Sequence, residues 1–159
     1  MRALLSLIAL LGCSHPSLGK ASWEIRTPER SFIEPFGRSY STSTSDGATI
    51  GFFRNDFGRA SGSGIFCSDI RGGISGLPMF NIELTDRAQA TTGTIPVTAT
   101  PDPSVAGALI TAPFAIYDTG SIELTDVDDA IVGTVTASGL TEMGGTATFT
   151  GTFEATRCD

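Results

Sequence analysis

The stretch GTATFTGTFEAT, residues 145–156, sets Thr146, Thr148, Thr150, Thr152, Glu154 and Thr156 at even positions and Ala147, Phe149, Gly151, Phe153 and Ala155 at odd ones. Successive side chains of a β-strand point to opposite faces, so a strict period of two describes a strand with one buried face and one solvated, hydroxyl-rich face. The same alternation recurs at Phe80, Ile82 and Leu84, at Ile95, Val97 and Ala99, at Ala108, Ile110, Ala112, Phe114 and Ile116, and at Ile122 and Leu124. Val135 and Ala137 continue it, and Ile50 and Phe52 mark a strand nearer the amino end. Past the first residues no segment carries an apolar i, i+3, i+4 stripe over three turns. The 21 threonines and 19 glycines supply the β-branched and turn-forming types such a chain needs. The expected class is therefore all-β, an antiparallel β-sandwich or partly closed barrel with little helix.

A short internal repeat refines this expectation. Ile82-Glu83-Leu84-Thr85-Asp86 recurs as Ile122-Glu123-Leu124-Thr125-Asp126, and Gly93-Thr94-Ile95 recurs as Gly133-Thr134-Val135 at the same offset. Each copy reads strand, polar turn, strand, which predicts two related hairpins inside one sandwich or barrel. Turn chemistry marks the remaining boundaries. The stretch 27–38, with Pro28, Pro35 and Gly37, reads as irregular, 54–64 as a polar loop, and 71–78 as a glycine-rich turn. Pro101, Pro103 and Gly107 mark a connection between two strands. The glycines near 72 are not a phosphate loop, because the required lysine and helix are missing.

The amino end has a different character. Arg2 precedes an apolar run from Ala3 to Leu11. Nine residues of helix span about 14 Å, roughly half the hydrocarbon thickness of a bilayer, so the run is a signal core and not a membrane span. It ends in Leu10-Leu11-Gly12-Cys13. This segment resembles a bacterial lipoprotein signal with its lipobox, which implies a diacylglyceryl group on Cys13 and cleavage just before it. Each buried CH₂ of such chains adds about 0.8 kcal/mol, and several chains anchor where one binds only marginally. An ordinary secretory signal cut after Gly19 is the competing reading, since Ser17 and Gly19 are small residues at acceptable spacing. The expected organisation is a signal peptide at 1–12, a tether at 13–20 and a single β domain at 21–159.

Either reading delivers the chain to an oxidising compartment without Cys13 as a free thiol. Cys67 and Cys158 then remain, and two thiols in a secreted domain are most simply one disulfide. Closing a loop of that size stabilises by about 4–5 kcal/mol in the chain-entropy model. Their separation and the missing C-x-x-C or histidine context argue against a redox or metal role.

Charge excludes some partners. Without residues 1–12 the chain keeps 9 basic against 17 acidic side chains. That balance opposes nucleic-acid binding and electrostatic attachment to anionic lipid heads. Membrane contact is expected through the lipid anchor alone, with a protein or glycan partner left unspecified.

Catalytic chemistry has little to stand on. The only histidine is His15, two residues from the lipidation position, so neither a Ser-His-Asp triad nor a multi-histidine metal site is expected in the folded domain. A carboxylate pair is the remaining option, and Glu83 and Glu123 are the repeat-related candidates, though both sit opposite an apolar face. Asp126, Asp128 and Asp129 form a tight acidic cluster that offers oxygen ligands to Ca²⁺, but the glycine and bidentate glutamate of an EF-hand loop are absent. A polar hairpin turn is the better reading. Trp23, Tyr40 and Tyr117 are the candidates for a sugar-stacking platform, with core-edge placement as the plainer alternative.

The carboxyl end carries a second resemblance. The order Gly120-Ser121-Ile122-Glu123-Leu124, then Val132-Gly133-Thr134-Val135, then Gly151-Thr152-Phe153-Glu154-Ala155 and Cys158 is similar to the closing strands of uncharacterised secreted bacterial lipoproteins that finish in G-x-F-x-A-x-x-C. The resemblance implies a β-sandwich whose last strand is fastened by a disulfide, and implies no activity. The expected protein is an envelope-anchored lipoprotein, at the outer membrane or cell surface, with a structural or interaction role and neither catalysis nor a cofactor. A carbohydrate- or Ca²⁺-binding module is the alternative.

Overall fold

A computed structural model describes residues 17–54, 67–71, 79–112 and 114–158. Its strands are β1 (Gly19–Arg26), β2 (Ser31–Thr44), β3 (Gly47–Phe53), β4 (Phe80–Thr85), β5 (Gly93–Pro96), β6 (Ala108–Ala112), β7 (Ala115–Asp126), β8 (Ala130–Thr141) and β9 (Thr146–Arg157). Two short helices, α1 (Cys67–Arg71) and α2 (Asp86–Gln89), complete it. The sheet runs β5-β7-β6-β4-β3-β2-β1-β9-β8, and a further β7–β8 pairing closes eight strands into an antiparallel barrel with β5 added. Of the two architectures the alternation allows, the barrel is the one formed. Except for β5, strands adjacent in the chain are adjacent in space, an up-and-down order that leaves no free edge in the eight-stranded ring.

Alternation then fills the interior. Trp23 and Ile25 from β1, Ile50 and Phe52 from β3, Phe80 and Ile82 from β4, Tyr117 and Ile122 from β7, and Phe149 and Phe153 from β9 are all buried in one cluster. Phe52 stacks on Phe80 at 4.3 Å, and Trp23 and Phe149 meet Phe80 edge-on at 5.1 and 4.7 Å. An eight-stranded ring has just enough lumen for such side chains, and each ring buried from water stabilises by about 1.5–3 kcal/mol. Gly37 on β2 is required here, because a Cβ at that position would lie 1.9 Å from the Trp23 ring.

A second, smaller cluster lies on the outside. Tyr40 alternates with the inward Ser39 and Ser41, and packs with Phe53, Leu18 and the buried Cys67–Cys158 disulfide. The sulfur bridge thus fastens the β3–β4 connection to the end of β9, as expected from the cysteine count. Below the start of β1, β2 pairs directly with β9 through Tyr40↔Thr156 and Ser41↔Arg157. The Ser39 hydroxyl lies at 3.0 Å from the Lys20 carbonyl and 3.1 Å from that of Glu154, and donates at this junction.

Several expectations need correction. The stretch 27–38 is not irregular, since β2 begins at Ser31 and runs through Pro35. Proline is tolerated because the β1–β2 register shifts between Ala21 and Trp23, a bulge at which no ladder donor is needed from residue 35. The run from Ala108 to Ile116 is not one strand but two, reversed at Phe114, which holds φ of 76°. The repeat does not make two hairpins. Its second copy does, as β7 and β8, but in the first copy α2 follows β4, and β5 crosses to pair with β7. The tether is shorter than 13–20, because Leu18 is buried and Gly19 and Lys20 already belong to β1. The signal peptide 1–12, Cys13, His15 and most of the loops at 54–64 and 71–78 lie outside the described residues.

Candidate functional site

Up-and-down order sorts the connections into two ends. The β1–β2, β6–β7 and β8–β9 connections share one end, and β1 begins and β9 finishes toward the other, where the Cys67–Cys158 bridge holds the β3–β4 connection. At the first end, the tip, Phe114 turns the chain between β6 and β7. A non-glycine residue at φ of 76° costs roughly 1–2 kcal/mol, and the ring it presents is stacked on Phe32 at 4.9 Å with planes only 8° apart. The Arg30 guanidinium lies over both rings, 5.2 Å from the Phe32 centroid and 4.8 Å from that of Phe114. Such cation–π contacts are worth about 0.5–1 kcal/mol each at an exposed site.

The apolar surface continues along the barrel wall. Ile116 on β7 stands opposite Leu140 on β8, and Met143 caps the β8–β9 turn. These side chains are 68%, 63% and 78% exposed, and Phe114 is 40% exposed. Thr27, Glu29, Arg30, Phe114, Glu142 and Met143 enclose a hollow of about 180 Å³ beside them. Isolated exposed hydrophobics are ordinary, but a contiguous group of them marks an interaction surface. Near this end Arg26 donates to Glu24 at 2.7 and 3.1 Å, and the Ser31 hydroxyl donates to the same carboxylate at 2.9 Å. These donors hold the Glu24 carboxyl below its usual range.

The residues singled out in the sequence go elsewhere. Trp23, Tyr40 and Tyr117 are buried and form no platform, because each is spent on a core. Tyr117 is fully enclosed, its hydroxyl has no hydrogen-bond partner among the described residues, and burial pushes its pKa up to about 12. Tyr40 is raised for the same reason. Glu83 and Glu123 are exposed on β4 and β7, strands that are not neighbours, and Glu123 accepts a hydrogen bond from Thr94. Asp126 accepts the backbone N–H of Asp128 at 2.9 Å, the hydrogen bond of a polar turn between β7 and β8. Among the described residues no group of three metal-ligating side chains converges, so the three aspartates are not brought together as a cation site.

Two shallow troughs, of about 410 and 470 Å³, run over the outer faces of β1, β9 and β8. Their shared floor includes Ser22 and Thr152, whose hydroxyls hydrogen-bond each other at 2.9 Å. None of the tip residues was a sequence-derived candidate for function. The available signal was Thr141-Glu142-Met143-Gly144-Gly145, a large apolar side chain in the middle of a polar turn. Comparison of the chain with protein-family models, curated proteins and solved structures finds no match.

Proposed function

We propose that the chain is an exported bacterial lipoprotein, anchored to the cell envelope through Cys13, which acts by binding and not by catalysis. The observation that carries the binding role is the exposed apolar group Phe114, Ile116, Leu140 and Met143 at the end of the barrel away from its termini. An anchor at the amino end turns this surface outward, toward the medium or a neighbouring envelope component. An outer-membrane or cell-surface location suits that orientation.

Two further features support export. The Cys67–Cys158 bridge suits an oxidising compartment. Leu18 is buried and Gly19 pairs with Ser39, so a cut after Gly19 would strip residues from the fold, whereas a cut before Cys13 spares them. The interior does not compete as a ligand site, since aromatic rings of β1, β3, β4, β7 and β9 occupy it. Intact-mass measurement of the native protein, with and without reductant, tests the reading. The expected species begins at an acylated Cys13 and gains two hydrogens on reduction. A species that begins at Lys20, or one that keeps its leader without lipid, overturns it.

A further inference from the structure

We infer that the tip is a docking site for a protein segment that presents one large apolar side chain beside one carboxylate. This rests on the proposed binding role and names the partner's chemistry. Phe, Met and Arg are enriched in protein interfaces relative to the rest of the surface, and Phe114, Met143 and Arg30 meet at this hollow. At about 180 Å³ the hollow is smaller than the roughly 300–1,000 Å³ that drug-sized ligands occupy, and suits a single side chain.

Charge identifies the second element. Arg26 and Arg54 pair with Glu24 and Glu34, and Arg157 donates to the carbonyls of Val127 and Asp128. Arg30 has no such acceptor for its guanidinium among the described residues, and its guanidinium carbon instead lies 5.2 and 4.8 Å from the centroids of two stacked rings. A guanidinium already held beside aromatic rings loses less freedom on meeting a planar, two-oxygen acceptor. A carboxylate is the side-chain group with that shape. Glu29 and Glu142 on the rim repel a run of acids, so the partner carries one carboxylate at Arg30 and neutral or basic flanks. The left-handed Phe114 fits this use, because backbone strain is retained where it fixes a side chain for contact.

The test uses the purified native protein as bait for a random-dodecapeptide display library, followed by affinity measurement on the enriched peptides. Enriched sequences are expected to combine a large apolar residue with a single Asp or Glu. Their affinity is expected to fall about tenfold or more in Arg30→Glu and in Met143→Asp, as for loss of an interface anchor. Both positions are exposed, and an unchanged melting temperature verifies that the variants fold. Exchange of the peptide's acid for lysine should restore binding to Arg30→Glu. Failure to enrich any peptide, or peptides indifferent to both variants, overturns the inference. So does a homodimer that Met143→Asp dissociates, or binding of phosphatidylglycerol vesicles through the same residues. Peptide failure alongside an acylated Cys13 removes the docking assignment and leaves the anchored lipoprotein intact.

Discussion

Thr94 donates its hydroxyl hydrogen to Glu123 at 2.5 Å across the β5–β7 pair. Its repeat counterpart Thr134 stands opposite the same glutamate on the other side, in β8. The register agrees throughout: Gly93 and Gly133 face Leu124, and Ile95 and Val135 face Ile122. The repeated G-T-I/V segment is thus a piece that pairs with I-E-L in one register, and β7 takes both copies, one on each edge. Ile95 is buried in the main core while Thr94 is exposed. Ile95→Ala should therefore cost about 2–4 kcal/mol, and Thr94→Val less than about 1 kcal/mol. Urea denaturation measures both, and equal costs would mean that β5 is held by its polar edge and not by the core.

The outcome for the repeat shows what sequence pattern carries and what it does not. The 145–156 alternation holds from end to end, because β9 keeps an unshifted ladder with β1 and β8. The run through Phe114 misleads because the reversal there exchanges the inward parity, from Ile110 and Ala112 in β6 to Ala115 and Tyr117 in β7, so that Ile116 points out, and the shift between Tyr117 and Thr119 then returns it to even positions at Ile122 and Leu124. Periodicity registers faces, not which edge a strand will choose, so the pattern pairs β5 with β4 where the fold pairs it with β7. The site was harder still. Trp23, Tyr40 and Tyr117 look like surface aromatics by their polar atoms, yet burial used all three, whereas Phe114 and Met143 are apolar residues that the turns hold outside.

Tyr117 provides a pH-dependent test. Its enclosed hydroxyl has no partner among the described residues, and its pKa is raised from 10.0 to about 12, so the folded state stays protonated where the unfolded chain ionises. Unfolding then releases a proton between about pH 10 and 12, and stability falls as pH rises through that window. Tyr117→Phe should flatten this alkaline loss. At neutral pH it should be neutral or stabilising by up to roughly 1 kcal/mol, since it removes a buried polar group that bonds to nothing. Melting temperature against pH for the two proteins checks both statements, and a destabilised phenylalanine variant at pH 7 would show that the hydroxyl has a partner after all.

The disulfide should be strongly stabilising and slow to reduce. Both cysteines are buried with Leu18, Tyr40 and Phe53, and the bridge spans 91 residues. Its loss is expected to cost about 2–5 kcal/mol. Reduction by a soluble thiol should need prior opening of the outer cluster, so Tyr40→Ala should accelerate it. Quenching with a thiol-alkylating reagent at intervals gives the rate, and rapid reduction of the unaltered protein would contradict the burial.

Phe114→Gly separates strain from contact. Glycine adopts a φ of 76° without the steric penalty, whereas removal of the ring gives up its stack on Phe32 and its contact with Arg30. The two effects are each on the order of 1 kcal/mol and opposed, so the net change should lie within about 1 kcal/mol of zero. Phe114→Ala keeps the strain and loses the contacts, and should be the less stable of the pair. Guanidinium denaturation of both variants decides it, and an alanine variant equal to glycine would mean that the turn relaxes once the ring is gone.

The amino boundary of the fold can be measured without any lipid. Leu18 is buried against the disulfide cluster and Gly19 forms the first β1–β2 pair, opposite Ser39. A chain that begins at Lys20 gives up both, and the leucine alone is worth about 1.5–3 kcal/mol. For a domain of this size that is a drop of about 5 °C or more in melting temperature relative to a chain that begins at Ser14. Residues 14–16 serve as the control, because a second chain that begins at Ser17 retains Leu18 and Gly19. If the Ser17 chain matches the longer one while the Lys20 chain melts early, the barrel requires what a cut after Gly19 would discard. If all three melt together, the packing of Leu18 is dispensable and the later cut regains its standing.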